Sequence, residues 1–380
     1  DNENMKIHQI SYQTAPYGDI GKFDSSGLKD YFEKVSHHLS EDNNVTVVTA
    51  EKADSFKKNN LVFHSLNLFE KELSTEKKEK YLVDFRKKLD ETLDLKSFDV
   101  IHAHYWLSGL VAKQIVNDLN LPLIFTPHSL GIFLDGYNKE RVDCEKLVMS
   151  ASNIVTASSI FEEFMISENY TIDKNKIKKI TPGVDKEIFV PELNIERENI
   201  FLSIGRIQEQ KGQIETINFL DNFRKVENNF KCYFVGGPSG KSGEEYLQIL
   251  KDTVKNLSLE SHVEFLDNLP QIKIKELLNK SKLLIHTSKF ETFGLVAAEA
   301  NAMGVPVLTT NNGSLLEIIE DNLNGYCSDS LIDARVNKFV QDMLNDNKKF
   351  DEIMHKCVEK SKKYNWISTA TEIENLYKLF

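Results

Sequence analysis

Short apolar runs alternate with longer amphipathic stretches along most of the chain. The runs of the first half are Lys6–Tyr12, Val45–Thr49, Leu61–Leu66, Val100–His104, Pro122–Thr126 and Ile154–Ala157. The second half repeats this rhythm with runs at Ile200–Gly205, Lys231–Val235, Val263–Leu266, Leu283–Thr287 and Val305–Thr309. In the first half, the stretches between the runs are helix-like near 26–40, 74–93, 107–119, 139–150 and 158–168. Alternation of this kind predicts parallel strands covered by helices on both faces.

The chain is longer than one hydrophobic core usually serves. With 380 residues, two domains are expected, and the second half joins the first near Pro191. We predict an α/β protein with two doubly wound, Rossmann-like domains that face each other across a cleft. Their predicted ranges are 1–190 and 191–363, with a last segment at 364–380.

Residues with chemical potential follow the apolar runs. They are His102, His104, His128, Gly183, Arg206, Gly236 and Glu291. In open α/β sheets, ligands bind beyond the carboxyl ends of the strands. The functional site is therefore expected where these runs end.

The segment from Glu291 to Glu299 holds two acids around a Thr-Phe-Gly turn and a predicted helix start. The first turn of a helix presents unpaired amides and a positive dipole end, which suit a diphosphate. A single acid at this position would only complement the helix dipole. Two acids framing the turn favour a ligand site.

Arg206 follows a strand end, and Lys211 comes five residues later at a helix start. Two cations beyond one strand would neutralise a leaving diphosphate, whose developing charge dominates the barrier of such reactions. Taken alone, the pair is equally compatible with two surface cations.

His128 ends the run that precedes it, and the same is true of His102 and His104. An isolated histidine is more often a satisfied core residue, but the strand-end position of His128 favours a functional role. His102 and His104 share one strand face, as two metal ligands would. Because no third ligand is apparent, we expect no metal. The absence of an Asp-x-Asp motif agrees with that expectation.

Two nucleotide-binding motifs are incomplete. The run from Gly236 to Ser242 follows a strand, but a P-loop needs a glycine where Val235 stands. An ATPase or kinase is therefore disfavoured. No Gly-x-Gly-x-x-Gly follows the first strand, so a nicotinamide enzyme is not supported.

Composition limits the partners and the compartment. The formal net charge is −11 and the pI about 5.5, which argues against nucleic acid because phosphates require a basic face. The four cysteines are scattered without a CxxC pair, and no apolar stretch approaches a membrane span. The lysine-rich stretch 75–93 is compatible with membrane contact, but its acids favour a solvated helix. We expect a cytoplasmic enzyme; the oligomeric state stays open.

Several motifs together resemble family 4 of the GT-B glycosyltransferases. They are Gly205-Arg206 with Lys211-Gly212, the pair Glu291 and Glu299, the turn Pro182–Asp185, and Asn312-Gly313. The resemblance covers nearly the whole chain and implies the GT-B fold, two facing Rossmann-like domains with a cleft between them. The tail from Tyr364 is similar to the C-terminal helix that, in this family, returns to the first domain.

The resemblance implies a role for each matching residue of the donor site. Arg206 and Lys211 would bind the diphosphate of a nucleotide-sugar donor, Glu299 its ribose, and Glu291 the sugar hydroxyls. His128 would lie beside the transferred sugar. Backbone contacts would come from Leu266 to the base and from Phe293, Gly294, Leu295 and Val296 to the sugar and phosphate. Members of the family retain the anomeric configuration without a metal, and the leaving phosphate accepts the proton of the acceptor.

One motif departs from the family, and the acceptor is less specified. Where the family usually carries Gly-Gly in the first loop, this chain has Ser26-Gly27, so only Gly27 permits the closest backbone approach. Resemblance to sucrose-phosphate synthases and inositol-phosphate glycosyltransferases makes Tyr105, Ser129 and Arg141 candidates for an acceptor phosphate. An ion pair of Arg141 with Glu145 is the structural alternative.

The resemblance leaves two alternatives to a transferase open. One is a GT-B sugar-nucleotide epimerase, and the other is a non-catalytic protein that binds nucleotide sugars. A UDP-sugar is the favoured donor.

Overall fold

The structure is a computed structural model that describes residues 4–17, 27–134 and 138–380. Its contacts divide the chain into two units. Unit 1 contains the described residues up to Gly183 together with Trp366–Phe380, and unit 2 contains Val184–Asn365. The division therefore falls at 183/184, whereas the sequence placed it at 190/191.

Unit 1 is built on a sheet whose strands alternate with helices. Its strands are β1 (Lys6–Ile10), β2 (Asn44–Glu51), β3 (Phe56–Lys58), β4 (Leu61–Phe69), β5 (Val100–His104), β6 (Leu123–Thr126), β7 (Ile154–Ala157) and β8 (Ile177–Lys179). Its helices up to that point are α1 (Gly27–Tyr31), α2 (His37–Asp42), α3 (Thr75–Lys78), α4 (Leu82–Thr92), α5 (Trp106–Leu119), α6 (Lys139–Ala151) and α7 (Ile160–Tyr170). A π-helical turn, Phe32–Ser36, joins α1 to α2.

Within the described residues, the eight strands of unit 1 lie in the order β3-β4-β2-β1-β5-β6-β7-β8. All neighbours are parallel except β3 and β4. Adjacent strand residues point to opposite faces of a sheet. Accordingly, Val100 packs in one apolar cluster of the unit and Ile101 in the other. Burial on both faces explains why the strands are almost continuously apolar.

Unit 2 repeats the same plan. Its strands are β9 (Ile200–Ile204), β10 (Lys231–Val235), β11 (Val263–Leu266), β12 (Leu283–His286), β13 (Val307–Thr310) and β14 (Gly325–Ser328). Its helices are α8 (Gln213–Phe223), α9 (Gly240–Asn256), α10 (Gln271–Lys280), α11 (Leu295–Ala302), α12 (Leu315–Ile318), α13 (Ala334–Asn345) and α14 (Asn347–Ser361). The described strands are parallel and lie in the order β11-β10-β9-β12-β13-β14.

The last helix, α15 (Trp366–Tyr377), belongs to unit 1. Its buried residues recur on one helical face and include Trp366, Ala370, Ile373 and Tyr377. They pack in the same cluster as Ile7 of β1 and Val100 of β5. The chain therefore completes unit 1 only after unit 2.

The structure contains three short strands that the sequence pattern did not predict, β3, β8 and β14. All three lie at sheet edges, and the residues of β3 are exposed throughout. Short edge strands with few buried positions leave little apolar signal in a sequence. None of the described helices is both long and apolar enough to cross a membrane.

Candidate active site

Both sheets contain the point at which a doubly wound fold binds ligands. The strand order of unit 2 reverses direction between β9 and β12, and that of unit 1 reverses between β1 and β5. At such a reversal the two neighbouring loops leave toward opposite faces and open a crevice at the carboxyl edge. A ligand site is therefore expected near these two positions.

In unit 2, the loops that follow β9 and β12 are tied to each other. The Thr287 hydroxyl donates to the Gly212 carbonyl at 2.8 Å, and the Lys289 amide donates to the Gln210 carbonyl at 2.8 Å. Gly212 has a φ of +63°, and a Cβ there would overlap the Thr287 carbonyl oxygen. Only glycine fits this position, and it fixes Lys211 beside the loop of Glu291.

Lys211 and Glu291 form the centre of the unit 2 site. Lys211 Nζ lies 3.0 Å from Glu291 Oε1, and His286 Nε2 lies 3.0 Å from the same oxygen. The side chains are 25% exposed for Lys211, 15% for Glu291 and 7% for His286. One carboxylate oxygen therefore accepts both hydrogen bonds, and the Glu291 carboxylate stays partly accessible.

The protonation of Glu291 is set by these two donors. Burial alone would raise the pKa of this carboxyl group. The hydrogen bond from His286 and the charge of Lys211 outweigh burial and hold the pKa well below its usual range. Glu291 is therefore an anion at neutral pH and acts as a hydrogen-bond acceptor.

Arg206 supplies the accessible positive charge of the unit 2 site. Its side chain is exposed, and the described residues give it no carboxylate partner. Its backbone carbonyl accepts a 2.8 Å hydrogen bond from Gln213 Nε2, which fixes the turn. Lys211 is already paired with Glu291, whereas the charge of Arg206 is still available to an anion.

The N-terminus of α11 completes the unit 2 site. Gly294 is its N-cap residue with a φ of +93°, and the amides that follow, from Leu295 and Val296, belong to the unpaired first turn. Phe293 is buried and packs edge-on against the Tyr364 ring at 5.4 Å. Ser314 Oγ donates to the Glu291 carbonyl at 2.7 Å. Glu299 lies one turn further along α11 and is partly buried.

Leu266 lies at the same edge of the sheet, two strands from β9. It is the last residue of β11 and pairs with Val235 of β10. The loop after β10 is held by Asn268, whose Oδ1 accepts from the Gly237 amide at 2.9 Å. Within the described residues, the predicted donor-site members of unit 2 thus share one edge of one sheet.

In unit 1, the loop after β1 is described only in part. Gly27 is the first residue of α1, and Ser26 lies outside the described residues. The contribution of this loop to the site stays a prediction.

A chain of hydrogen bonds runs through the histidine side of unit 1. Ser36 Oγ donates to Gln9 Oε1, and Gln9 Nε2 donates to the Tyr377 hydroxyl at 3.0 Å. The Tyr377 oxygen lies 2.6 Å from His102 Nδ1, and His102 Nε2 lies 2.7 Å from Thr126 Oγ1. The Tyr377 oxygen accepts from Gln9 and is also hydrogen-bonded to His102 Nδ1. Both ring nitrogens of His102 are engaged.

His104 and His128 form a second part of this cluster. His104 Nδ1 lies 2.8 Å from His128 Nε2, and the Tyr31 ring packs edge-on against both imidazoles. Burial lowers the pKa of His102 and of His128 to about 3, and it also lowers that of His104. These histidines are therefore neutral at physiological pH. Among the described residues, no group of three potential ligands could hold a metal ion.

Arg141 contacts both of the other candidate acceptor residues, Ser129 and Tyr105. Arg141 Nη2 donates to Ser129 Oγ at 2.9 Å, and the guanidinium lies 5.1 Å from the Tyr105 ring centre. The expected pairing with Glu145 is present as well, at 3.7 Å. Glu145 is fully buried and also accepts from the Gly131 amide at 2.9 Å. The ion pair and a ligand role for Arg141 are thus compatible, because different nitrogens face Glu145 and Ser129.

Two site residues of unit 1 have an unusual backbone. Tyr105 has a φ of +77° and His128 a φ of +61°, a region that bulky residues rarely adopt. Such strain is maintained only where the surrounding structure enforces it, and it concentrates at functional sites. Tyr105 follows β5, one of the two strands at the reversal point, and His128 lies two residues beyond the end of the neighbouring strand β6.

Sequence reasoning missed two residues of these clusters, His286 and Tyr377. His286 stands in an apolar run and reads as a core position, although its place at the end of β12 was a usable signal. Tyr377 lies far from the cluster in sequence, and only the packing of α15 brings it to His102.

The chain is similar to known proteins over nearly its whole length. The family model described as glycosyl transferases group 1 matches residues 184–364, and glycosyltransferase family 4 matches residues 25–188. The D-inositol 3-phosphate glycosyltransferase of Corynebacterium urealyticum is 28% identical over 74% of this chain and 72% of its own. That of Corynebacterium glutamicum is 25% identical over 98% of this chain and 96% of its own.

Solved structures share the fold. Sucrose-phosphate synthase from Thermosynechococcus elongatus superposes with a TM-score of 0.82 at 22% identity, covering 99% of both chains. Anabaena HepE, solved in complex with UDP and glucose, gives a TM-score of 0.77 at 17% identity, covering 99% of this chain and all of the other.

Proposed function

Since the chain belongs to the family 4 glycosyltransferases of the GT-B fold, we propose that it moves a sugar from a nucleotide-sugar donor to a hydroxyl acceptor. A UDP-sugar is the favoured donor, and a sugar or polyol phosphate is the favoured acceptor. The observation that carries this proposal is the contact of Lys211 and His286 with Glu291 at the strand reversal of unit 2.

Each part of the unit 2 site matches a part of a nucleotide sugar. Arg206, Lys211 and the first amides of α11 bind the diphosphate, because cations and helix N-termini both favour anions. Glu291 accepts hydrogen bonds from sugar hydroxyls, and Glu299 does the same for the ribose. The backbone near Leu266 contacts the base.

The proposed reaction keeps the anomeric configuration and uses no metal. Arg206 and Lys211 stabilise the charge that develops on the leaving diphosphate. The leaving phosphate accepts the proton of the acceptor hydroxyl on the face from which it departs. Neutral His128 hydrogen-bonds the transferred sugar without adding a charge.

The acceptor proposal depends on Arg141, Ser129 and Tyr105. A guanidinium beside a hydroxyl is chemically suited to a phosphate monoester. The relatives named as D-inositol 3-phosphate glycosyltransferases support the same chemistry. Their acceptor is accordingly the first one to test.

A binding screen followed by product analysis tests this function. Thermal shifts with UDP-, GDP- and ADP-sugars identify the donor, because a ligand of the native state raises the unfolding temperature. The donor is then incubated with D-inositol 3-phosphate, with unphosphorylated inositol, and alone. We expect a phosphorylated glycoside whose anomeric configuration, read by NMR, matches that of the donor.

The other outcomes have distinct meanings. Conversion of the donor without any acceptor would identify an epimerase, and binding without conversion would identify a sensor. An inverted product would overturn the proposed mechanism while leaving the transferase assignment in place.

A further inference from the structure

The two oxygens of Glu291 differ in their surroundings. Lys211 Nζ and His286 Nε2 both lie 3.0 Å from Oε1. In the part of the chain that the structure describes, no hydrogen bond reaches Oε2. The carboxylate is therefore held through one oxygen and presents the other.

The two donors to Oε1 differ in rigidity. His286 is the last residue of β12, is 6% exposed, and stands in register with Thr309 of β13. Its ring is fixed by the centre of the sheet. Lys211 reaches the same oxygen through a flexible four-carbon stem from a short loop segment.

A diphosphate would compete with Glu291 for Lys211. Under the proposed function, Lys211 binds the diphosphate, and its ammonium then shares its donors with phosphate oxygens. His286 is buried at the end of β12 and has no flexible stem with which to follow a phosphate oxygen, so the diphosphate competes less for it. The contact from His286 is the one that persists when the donor is bound.

We propose that His286 is a positioning residue that holds Glu291 in the orientation needed for the sugar of the donor. The proposal rests on the proposed function and deepens it. It separates recognition of the donor into two parts, a diphosphate part that depends on Arg206 and Lys211 and a sugar part that depends on His286 through Glu291.

The separation makes a measurable difference between two ligands, UDP and UDP-glucose. UDP lacks the sugar, so loss of the His286 contact should leave its affinity unchanged. UDP-glucose should bind about tenfold more weakly, because a hydrogen bond to a charged group contributes roughly 10- to 100-fold in affinity. The kcat/KM of the variant for UDP-glucose should fall by a similar factor.

Two pairs of variants test this. His286→Phe keeps an aromatic ring but loses the N–H that donates to Glu291. His286→Gln carries an amide nitrogen close to the position of Nε2. His286→Asn is one methylene shorter than His286→Gln and serves if the Phe variant does not fold. His262→Phe is the matched control, because His262 is also a buried histidine of unit 2, bonded to Asn228 rather than to Glu291.

Affinities for UDP and UDP-glucose are measured by calorimetry on the full chain. We expect His286→Phe or His286→Asn to lower the affinity for UDP-glucose but not for UDP. His286→Gln should restore the affinity for UDP-glucose, and His262→Phe should change neither affinity. Equal weakening of both ligands, or no weakening of UDP-glucose, overturns the proposal. A wild-type protein that binds no nucleoside diphosphate overturns the proposed function itself, a result distinct from either of these.

Discussion

At the strand reversal of unit 2, a lysine, a carboxylate and a histidine meet at one oxygen atom, whereas the neighbourhood of the reversal in unit 1 holds three histidines packed among aromatic rings. The first arrangement stabilises charge, since Lys211 and His286 keep Glu291 ionised. The second suppresses charge, since burial keeps His102 and His128 neutral. The two regions thus differ in the charge of their polar groups, which are an ionised carboxylate beside a lysine in unit 2 and neutral histidines in unit 1.

The largest effect is expected when the charged cluster of unit 2 is broken. Lys211→Ala removes a cation from the leaving diphosphate and one donor from Glu291. We expect turnover to fall by about 10²- to 10³-fold, the usual loss for one donor that stabilises developing charge. Turnover is measured by release of the nucleoside diphosphate.

Lys273→Ala is the control for this variant. Lys273 is an exposed lysine of unit 2 that pairs with Glu276 on α10. Its loss should leave turnover unchanged. Wild-type turnover in Lys211→Ala would contradict the assignment of the site.

The next effect concerns the stability of the neutral cluster. Tyr377→Phe leaves His102 Nδ1 and Gln9 Nε2 buried without this partner, which costs about 1–3 kcal/mol. Both tryptophans of the chain, Trp106 and Trp366, lie buried in unit 1. Urea unfolding followed by tryptophan fluorescence therefore reports on unit 1, and its midpoint should fall.

Tyr81→Phe is the matched comparison, because no hydrogen bond to the Tyr81 hydroxyl occurs within the described residues. It should leave the fluorescence midpoint in place. UDP affinity should be unchanged in both variants. A midpoint that does not move in Tyr377→Phe would show that the hydroxyl chain through His102 adds no stability.

A smaller effect is expected at the acceptor residues. Arg141→Lys keeps the charge beside Glu145 but loses the planar donors that reach Ser129. We expect the KM for a phosphorylated acceptor to rise about tenfold, because one hydrogen bond to a charged group is lost. The KM for the nucleotide-sugar donor should stay unchanged. Initial rates at varied acceptor concentration measure this.

Arg86→Lys provides the control. Arg86 is a surface arginine of unit 1 that pairs with Asp90 and Asp118, away from the acceptor residues. It should leave both KM values unchanged. An unchanged acceptor KM in Arg141→Lys would remove Arg141 from the acceptor site.

The last comparison concerns the pH dependence of unit 1. His102 has a pKa of about 3 in the folded state against 6.5 when unperturbed, so the unfolded chain binds more protons between these values. Stability from this group is complete above pH 6.5 and decreases as pH falls toward 3. His102→Gln should therefore show a shallower loss of unfolding free energy between pH 6.5 and 4.5, by at most about 1.4 kcal/mol per pH unit.

Glu291→Gln sharpens the contrast between the two units. The lowered pKa of Glu291 contributes stability above its ordinary pKa of 4.5, which is lost only as pH falls below that value. In the range from pH 6.5 to 4.5 this variant should not change the slope seen by tryptophan fluorescence. An unchanged slope in His102→Gln would contradict the buried, neutral state of that histidine.

The two regions also differ in how far sequence could predict them. The members of the unit 2 site lie in short segments with recognisable spacing, and the sequence alone predicts both Lys211 and Glu291 as site residues. The sequence did not identify His286, the histidine that is hydrogen-bonded to Glu291, because an imidazole in an apolar run has the pattern of a core residue. The direction of the His286 side chain at the end of β12 brings it to Glu291, and residue spacing alone does not encode that direction.

In unit 1, His104 and His128 were placed at strand ends correctly, but their environment was not predicted. Their neutral state follows from burial, to which the ring of Tyr31 contributes. The neighbouring His102 is bonded to the hydroxyl of Tyr377, which lies far away in the sequence. Apolar periodicity predicted the strands of the sheet interiors well. It could not predict the short edge strand β3, since that strand buries none of its residues.

The late return of α15 has a consequence for synthesis on the ribosome. Residues 184–365 are contiguous, so unit 2 can fold as soon as they emerge, while unit 1 waits for α15. Tyr377 follows all of unit 2 in the sequence, and domains generally fold as they leave the ribosome. The contact of Tyr377 with His102, although it is made to a strand synthesised early, therefore forms only after α15 has emerged, and a chain that terminates before α15 would lack it.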